Sequence, residues 1–169
     1  MSTDAKCNSF INPKKSDQIV VFSIDERRYA LPLATVERIV RVVEITPLPK
    51  VPDIVQGIIN VQGRIIPVIN IRKRFGLPER EINLSDQLII AQASNHNFAL
   101  LVDTVSGVIE YSEHDVVEAQ EVIPGAEYVK GMIKLENGIN LVLDLDTLLS
   151  FKEVGSLDDA IKEPHGGGL

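Results

Sequence analysis

The feature that most constrains this chain is that its second half repeats its first. Displaced by 69 positions, residues 18–40 align without a gap on residues 87–109. Gln18 meets Gln87, Ile19-Val20-Val21 meets Leu88-Ile89-Ile90, Tyr29-Ala30-Leu31 meets Phe98-Ala99-Leu100, and Thr35-Val36 meets Thr104-Val105. Displaced by 74, residues 57–71 align on residues 131–145, with Gly57 on Gly131, Ile59 on Ile133, Ile65 on Ile139 and Val68 on Val142. Turn residues and apolar residues keep step together in both matches, which marks an internal duplication. A unit near 70 residues is far longer than a solenoid repeat. It has the size of one small β-barrel.

Within a unit the apolar runs are short, rich in Ile and Val, and broken by turn residues. Gln18 to Ile24 reads as a strand, Asp25-Glu26-Arg27 as a hairpin-length turn and Tyr29 to Leu33 as the return strand. Pro32 in that run predicts an edge position or a bulge. Three prolines between Thr46 and Pro52 predict an extended loop. Gly57 to Val61 and Arg64 to Ile71 form a second hairpin around Gln62-Gly63, followed by one helical turn, Arg72 to Phe75, stopped by Gly76 and Pro78. Each unit thus offers about five short strands and no long helix. That composition suits an all-β fold of two five-stranded barrels, because closure removes exposed edges. A barrel of ~70 residues is marginal alone, so the two are expected to pack together with a groove at the seam.

The expected organisation is a flexible N-terminal tail over 1–17, a double-barrel body over 18–152, and a flexible C-terminal tail over 153–169. Within the body, barrel one is assigned to about 18–85 and barrel two to about 86–152. The last element, Asp144 to Phe151, is expected to end as a short helix against the other barrel.

Charge and composition exclude several functions. Residues 1–85 hold 13 basic and 9 acidic side chains, whereas residues 86–169 hold 4 and 15, so the halves carry +4 and −11. With no Trp, 5 Phe and 3 Tyr in a chain of net charge −7, the stacking surface of a nucleic-acid binder is missing. No apolar run approaches the ~18–20 residues of a membrane span, and no signal peptide is visible. The one cysteine, Cys7, has no intrachain partner, which leaves neither a disulfide framework nor a Cys-based zinc site and makes the cytosol the default address.

Catalytic constellations are likewise missing. Neither GxGxxG nor GxxxxGK[ST] occurs, nor a GxSxG elbow. His96 is read as part of the Ser94–Asn97 turn, His114 as a member of a solvated acidic loop, and His165 as tail. Asp146 is read as a helix N-cap ahead of Leu148-Leu149. The acidic stretch Glu110 to Glu127 is a solvated loop, with a docking face as its second reading. No cofactor or metal is implied. A body of Ile/Val strands without a reactive group acts by binding, and its inter-barrel groove suits apolar partner helices or other barrels.

Several runs in order carry a family resemblance. They are Tyr29-Ala30-Leu31-Pro32-Leu33, Val36-Glu37-Arg38-Ile39, Thr46-Pro47-Leu48-Pro49 and Gly57-Ile58-Ile59-Asn60-Val61-Gln62-Gly63-Arg64-Ile65-Ile66-Pro67-Val68. Leu100-Leu101-Val102-Asp103 with Val105, Gly107-Val108 and Tyr128-Val129-Lys130-Gly131 continue the series. Together they resemble the CheW family of chemotaxis coupling proteins from about Gln18 to Lys152. The resemblance implies two SH3-like five-stranded barrels and a non-enzymatic scaffold. It implies two partners, a CheA-type histidine kinase and the cytoplasmic tip of a methyl-accepting chemoreceptor. The protein would be cytoplasmic, without membrane insertion of its own, and recruited to membrane-associated arrays. Carried over by position, the receptor groove would comprise Val20, Leu33, Val36, Ile39 and Val105, with Gln62 at its margin. Val36 and Val105 are repeat-equivalent, which supports a two-fold-like seam.

Two departures stand out. Where the family commonly reads Asn-Leu-Arg-Gly, this chain reads Asn60-Val61-Gln62-Gly63, with Arg64 two positions on; where a Glu is usual, it carries Arg38 beside Glu37. These changes bear on partner identity and leave the fold alone. The competing readings are a CheW-like adaptor in a non-motility two-component pathway, a nucleic-acid-binding double barrel and a small hydrolase or isomerase.

Overall fold

The computed structural model describes residues 18–93, 96–117 and 128–148. The expected N-terminal tail with Cys7, the expected C-terminal tail with His165, Leu149, Phe151 and most of the acidic stretch lie outside these residues. Among the described residues, eleven strands and two one-turn helices follow one another: β1 (Gln18–Ile24), β2 (Arg27–Pro32), β3 (Val36–Arg41), β4 (Val55–Val61), β5 (Arg64–Asn70), α1 (Ile71–Phe75), β6 (Gln87–Ala93), β7 (His96–Val102), β8 (Thr104–Glu110), β9 (Val116–Val117), β10 (Val129–Leu135), β11 (Gly138–Leu143) and α2 (Leu145–Leu148).

The repeat holds element by element. The 69-residue shift carries β1, β2 and β3 onto β6, β7 and β8, and the 74-residue shift carries β4, β5 and α1 onto β10, β11 and α2. Local chemistry explains the turns. Asp25 and Glu26 both have positive φ (53° and 67°), as do Gln62 and Gly63 (53° and 87°), the backbone that two-residue hairpin loops require. Asn60 Oδ1 accepts from the Gly63 N–H at 2.8 Å and locks the second turn. Helix α1 starts on an Asn70 cap and stops at Gly76 in the left-handed conformation.

One sheet has the order β8-β1-β2-β11-β10-β9, the other β3-β6-β7-β5-β4. Each barrel therefore takes its first hairpin from one half of the chain and its remaining strands from the other. This corrects the assignment of barrel one to 18–85 and barrel two to 86–152. The short connections force the exchange. In a self-contained unit, β8 would lie antiparallel to β6, starting at the far end from where β7 stops. The chain would have to run back the full ~20 Å of a strand, yet Asp103 alone separates β7 from β8, and one residue spans at most ~3.6 Å. Leu33–Thr35, a 3-10 turn between β2 and β3, sets the same limit in the first half. Each strand therefore runs straight on into the other sheet.

Both barrels close alike. Beyond β3, Thr46 and Ile58 exchange backbone hydrogen bonds of 2.9 and 2.8 Å; beyond β8, the extra strand β9 pairs Val117 with Met132 of β10. Pro32 proves to end a central strand rather than lie on an edge. Its neighbour β11 pairs only as far as Tyr29 and Ala30, so no ladder donor is missed.

The apolar residues divide into three clusters. Ile59, Ile66, Val68, Leu88, Ile90 and Ala99 fill the barrel of β3–β7. Ile19, Val21, Ala30, Ile133 and Val142 fill the other. The largest cluster draws on both sheets, with Phe22, Tyr29 and Leu31 meeting Ile69, Ile89, Phe98 and Leu100. It is the seam, and it makes the pair one body. Helix α2 inserts Leu145 and Leu148 into it. Asp144, not Asp146, caps that helix: its Oδ1 accepts from the Asp146 N–H at 3.0 Å and its carbonyl from Leu148. Asp146 stands inside the first turn, where its own N–H is the group needing a cap.

Candidate functional site

Strands β3 and β8 each stand at one end of their sheet, and each carries a β-bulge. Opposite β6, the register slips between Val36 and Arg38, so that Val36 faces Ala91 and Ile39 faces Ile89. Val36 and Ile39 are three residues apart and would point to opposite faces of a regular strand. The bulge at Glu37 turns both toward the seam, where they pack as partly buried residues with Leu33. The repeat-equivalent slip in β8 sets Val105 opposite Phe22 and Val108 opposite Val20. Leu33, Val36, Ile39 and Val105 thus converge on one cluster from two different sheets.

Val20 is not a lining residue. It is fully buried, because β1 lies between β8 and β2 and its inward face is covered by the seam. Val108, by contrast, is 50% exposed on the face shared with Val105. Sequence reasoning passed over it, although the 69-residue shift carries Ile39 onto Val108.

Gln62 is exposed at the tip of the β4–β5 hairpin. That tip is tied to β3 by a two-pronged pair, in which Arg64 donates to both carboxylate oxygens of Glu37 at 3.0 and 2.9 Å. The hydrogen bonds from Arg64 hold the Glu37 carboxyl below its usual pKa and hold the guanidinium above its own. The two residues that stand out of place against the family pattern thus pair with each other, beside Val36. Arg38 is exposed.

A polar cluster unforeseen from sequence lies at the crossing from β7 to β8. Asp103 accepts from Arg72 at 2.9 Å, from Arg80 at 2.7 Å and from the Asp25 N–H at 2.9 Å. Arg72 also pairs with Asp25 at 2.8 Å and donates to the Pro78 carbonyl; Arg80 pairs with Asp86 at 2.7 Å. Burial acts to raise the Asp103 pKa, but the Asp25 N–H, the Arg72 hydrogen bond and both guanidinium charges outweigh it and hold the carboxyl below the ordinary value. The only sequence signal was an Arg after one strand and an Asp after another. Of the histidines, His96 opens β7 and stacks on Phe98 at 6.1 Å, while Ser94 and Asn95 of its expected turn lie outside the described residues. His114 is exposed in a 3-10 turn closed by Ser112 and Asp115.

Two interlocked SH3-like barrels with aliphatic side chains gathered along their seam define a protein-binding module of the double-barrel class. Residues 18–153 match the CheW-like domain, and the chain belongs to the CheW family. The chemotaxis protein CheW of Treponema pallidum is 34% identical over 146 residues, covering 83% of this chain and 86% of that protein. That of Thermotoga maritima is 30% identical over 135 residues, covering 80% and 89%. The crystal structure of the scaffolding protein TtCheW from Thermoanaerobacter tengcongensis superposes with a TM-score of 0.75 at 32% identity, covering 82% of this chain and 95% of that one. Among the described residues no helix is long and apolar enough to cross a membrane.

Proposed function

We propose that this protein is a non-enzymatic chemotaxis scaffold that couples the cytoplasmic tip of a methyl-accepting chemoreceptor to a CheA-type histidine kinase. It works in the cytoplasm, recruited to receptor arrays at the membrane. The observation that carries this reading is the convergence of Leu33, Val36, Ile39 and Val105 from two sheets on one seam. An incomplete apolar surface between two rigid walls takes the apolar face of a helix. Gln62, on the hairpin tethered beside Val36, contacts the same partner at the margin. The names of the relatives, chemotaxis proteins and a scaffolding protein, support this reading over an adaptor in a non-motility pathway.

Val36→Asp tests it. Val36 is only partly buried, so the fold should lose about 1 kcal/mol, a fraction of the ~1.5–3 for a fully buried valine. Titration against a receptor hairpin fragment should show binding abolished, and receptor-dependent kinase stimulation should vanish with it. Unchanged receptor affinity, or a collapse in Tm that returns Val36 to the core, would refute the groove.

A further inference from the structure

The two walls of the groove belong to different sheets, so nothing in either ladder sets the distance between them. The sheets are joined by the one-residue crossing at Asp103 and by the Arg72–Asp25 pair, and one further side chain bonds wall to wall. Gln87 lies in β6, where its backbone is paired with Arg41 at the end of β3. Its Oε1 accepts from the Val105 backbone N–H at 2.8 Å, at the bulge that turns Val105 toward the seam. Gln87 thereby bonds the β8 wall to the strand that carries the β3 wall. A backbone N–H deprived of its partner in a partly buried site is costly, so the bond holds Val105 in place as well as attaching it.

We propose that Gln87 is a positioning residue that fixes the width of the groove, an inference resting on the reading of that groove as the receptor site. What it must supply is an oxygen acceptor. Gln87→Glu keeps one, whereas Gln87→Leu keeps the size and removes it. Arg41 and Glu110 are exposed and, 69 positions apart, mark equivalent ends of the two walls. Spin labels at these positions, in a Cys7→Ser background, report the diagonal from wall to wall in the full chain.

Gln87→Leu should weaken binding of a receptor hairpin fragment about ten-fold, equivalent to about 1.4 kcal/mol. Kinase affinity should stay within about two-fold and Tm within about 5 °C. The label-to-label distance distribution should widen, and Gln87→Glu should restore both affinity and distribution. Unchanged receptor affinity or an unchanged distribution in Gln87→Leu overturns the proposal. So does a parallel loss of kinase binding, which would mark general destabilisation. If the wild-type chain binds no receptor hairpin, the groove reading itself fails, and the label distances alone decide the spacer: widening upholds it and constancy overturns it.

Discussion

Replacing Asp103 by asparagine removes the charge at the centre of the polar cluster while keeping its shape. Asp103 is the single residue between a strand of one sheet and a strand of the other, and it takes hydrogen bonds from Arg72, Arg80 and the Asp25 N–H. Bonds to charged groups contribute ~1.5–3 kcal/mol each, and breaking a fully buried pair costs ~3–5 kcal/mol. The Asp103 side chain is 25% exposed and that of Arg72 only 9%, so solvent screens part of the interaction. Arg72 retains Asp25 and the Pro78 carbonyl. The variant should therefore lose about 2–3 kcal/mol, or roughly 5–10 °C in Tm for a chain of this size. The effect must also depend on pH. With the folded pKa held below the ordinary aspartate value, the contribution is whole above about pH 5 and is lost as pH falls through ~4 and below, where the folded state protonates last. Thermal unfolding followed by circular dichroism at pH 7 and near pH 3 should show the gap between wild type and variant shrinking in acid. A drop of less than about 2 °C at pH 7 would refute this role for the Asp103 charge. An equal drop at both pH values would assign the loss to packing instead of charge.

Residues 86–169 expressed alone should give poorly dispersed amide spectra. Their sheet would lack β1 and β2, and β6 and β7 would be left without β3, β4 and β5; a well-dispersed spectrum would contradict the exchange. Gly57→Ala should destabilise by about 2 kcal/mol or more through overpacking, because a Cβ there collides with the Thr46 carbonyl, whereas a Cβ on the repeat-equivalent Gly131 meets nothing within 4 Å. Equal melting temperatures for the two alanine variants would refute that difference. Gln62→Arg should tighten binding of a receptor fragment bearing an acidic group at the groove margin by about ten-fold, since a charge-assisted bond exceeds a neutral one by roughly 1 kcal/mol or more. Equal affinities by calorimetry would remove Gln62 from the site.

What the sequence determined by itself was local. Alternating Ile and Val, the turns at Asp25-Glu26 and Gln62-Gly63, and the one-turn helix closed by Gly76 each depend on a few neighbouring residues, so their strands and turns were legible. The duplication added the equivalence of Val36 and Val105, and with it the symmetry of the seam. What only the tertiary structure decided was which strand lies beside which. Hairpins of near-identical pattern can pair within a unit or across units with much the same side-chain contacts, and a per-residue pattern does not distinguish the two. The bulges in β3 and β8 belong to the pairing, so the turning of Val36 and Ile39 to one face could not be read from their spacing. Burial of Val20 follows from β1 acquiring a neighbour on both sides. Asp103 meets Arg72 and Arg80 only once the chain has crossed between barrels. The connections of one and three residues carried the deciding information all along, but it became readable only when the direction of every strand was known.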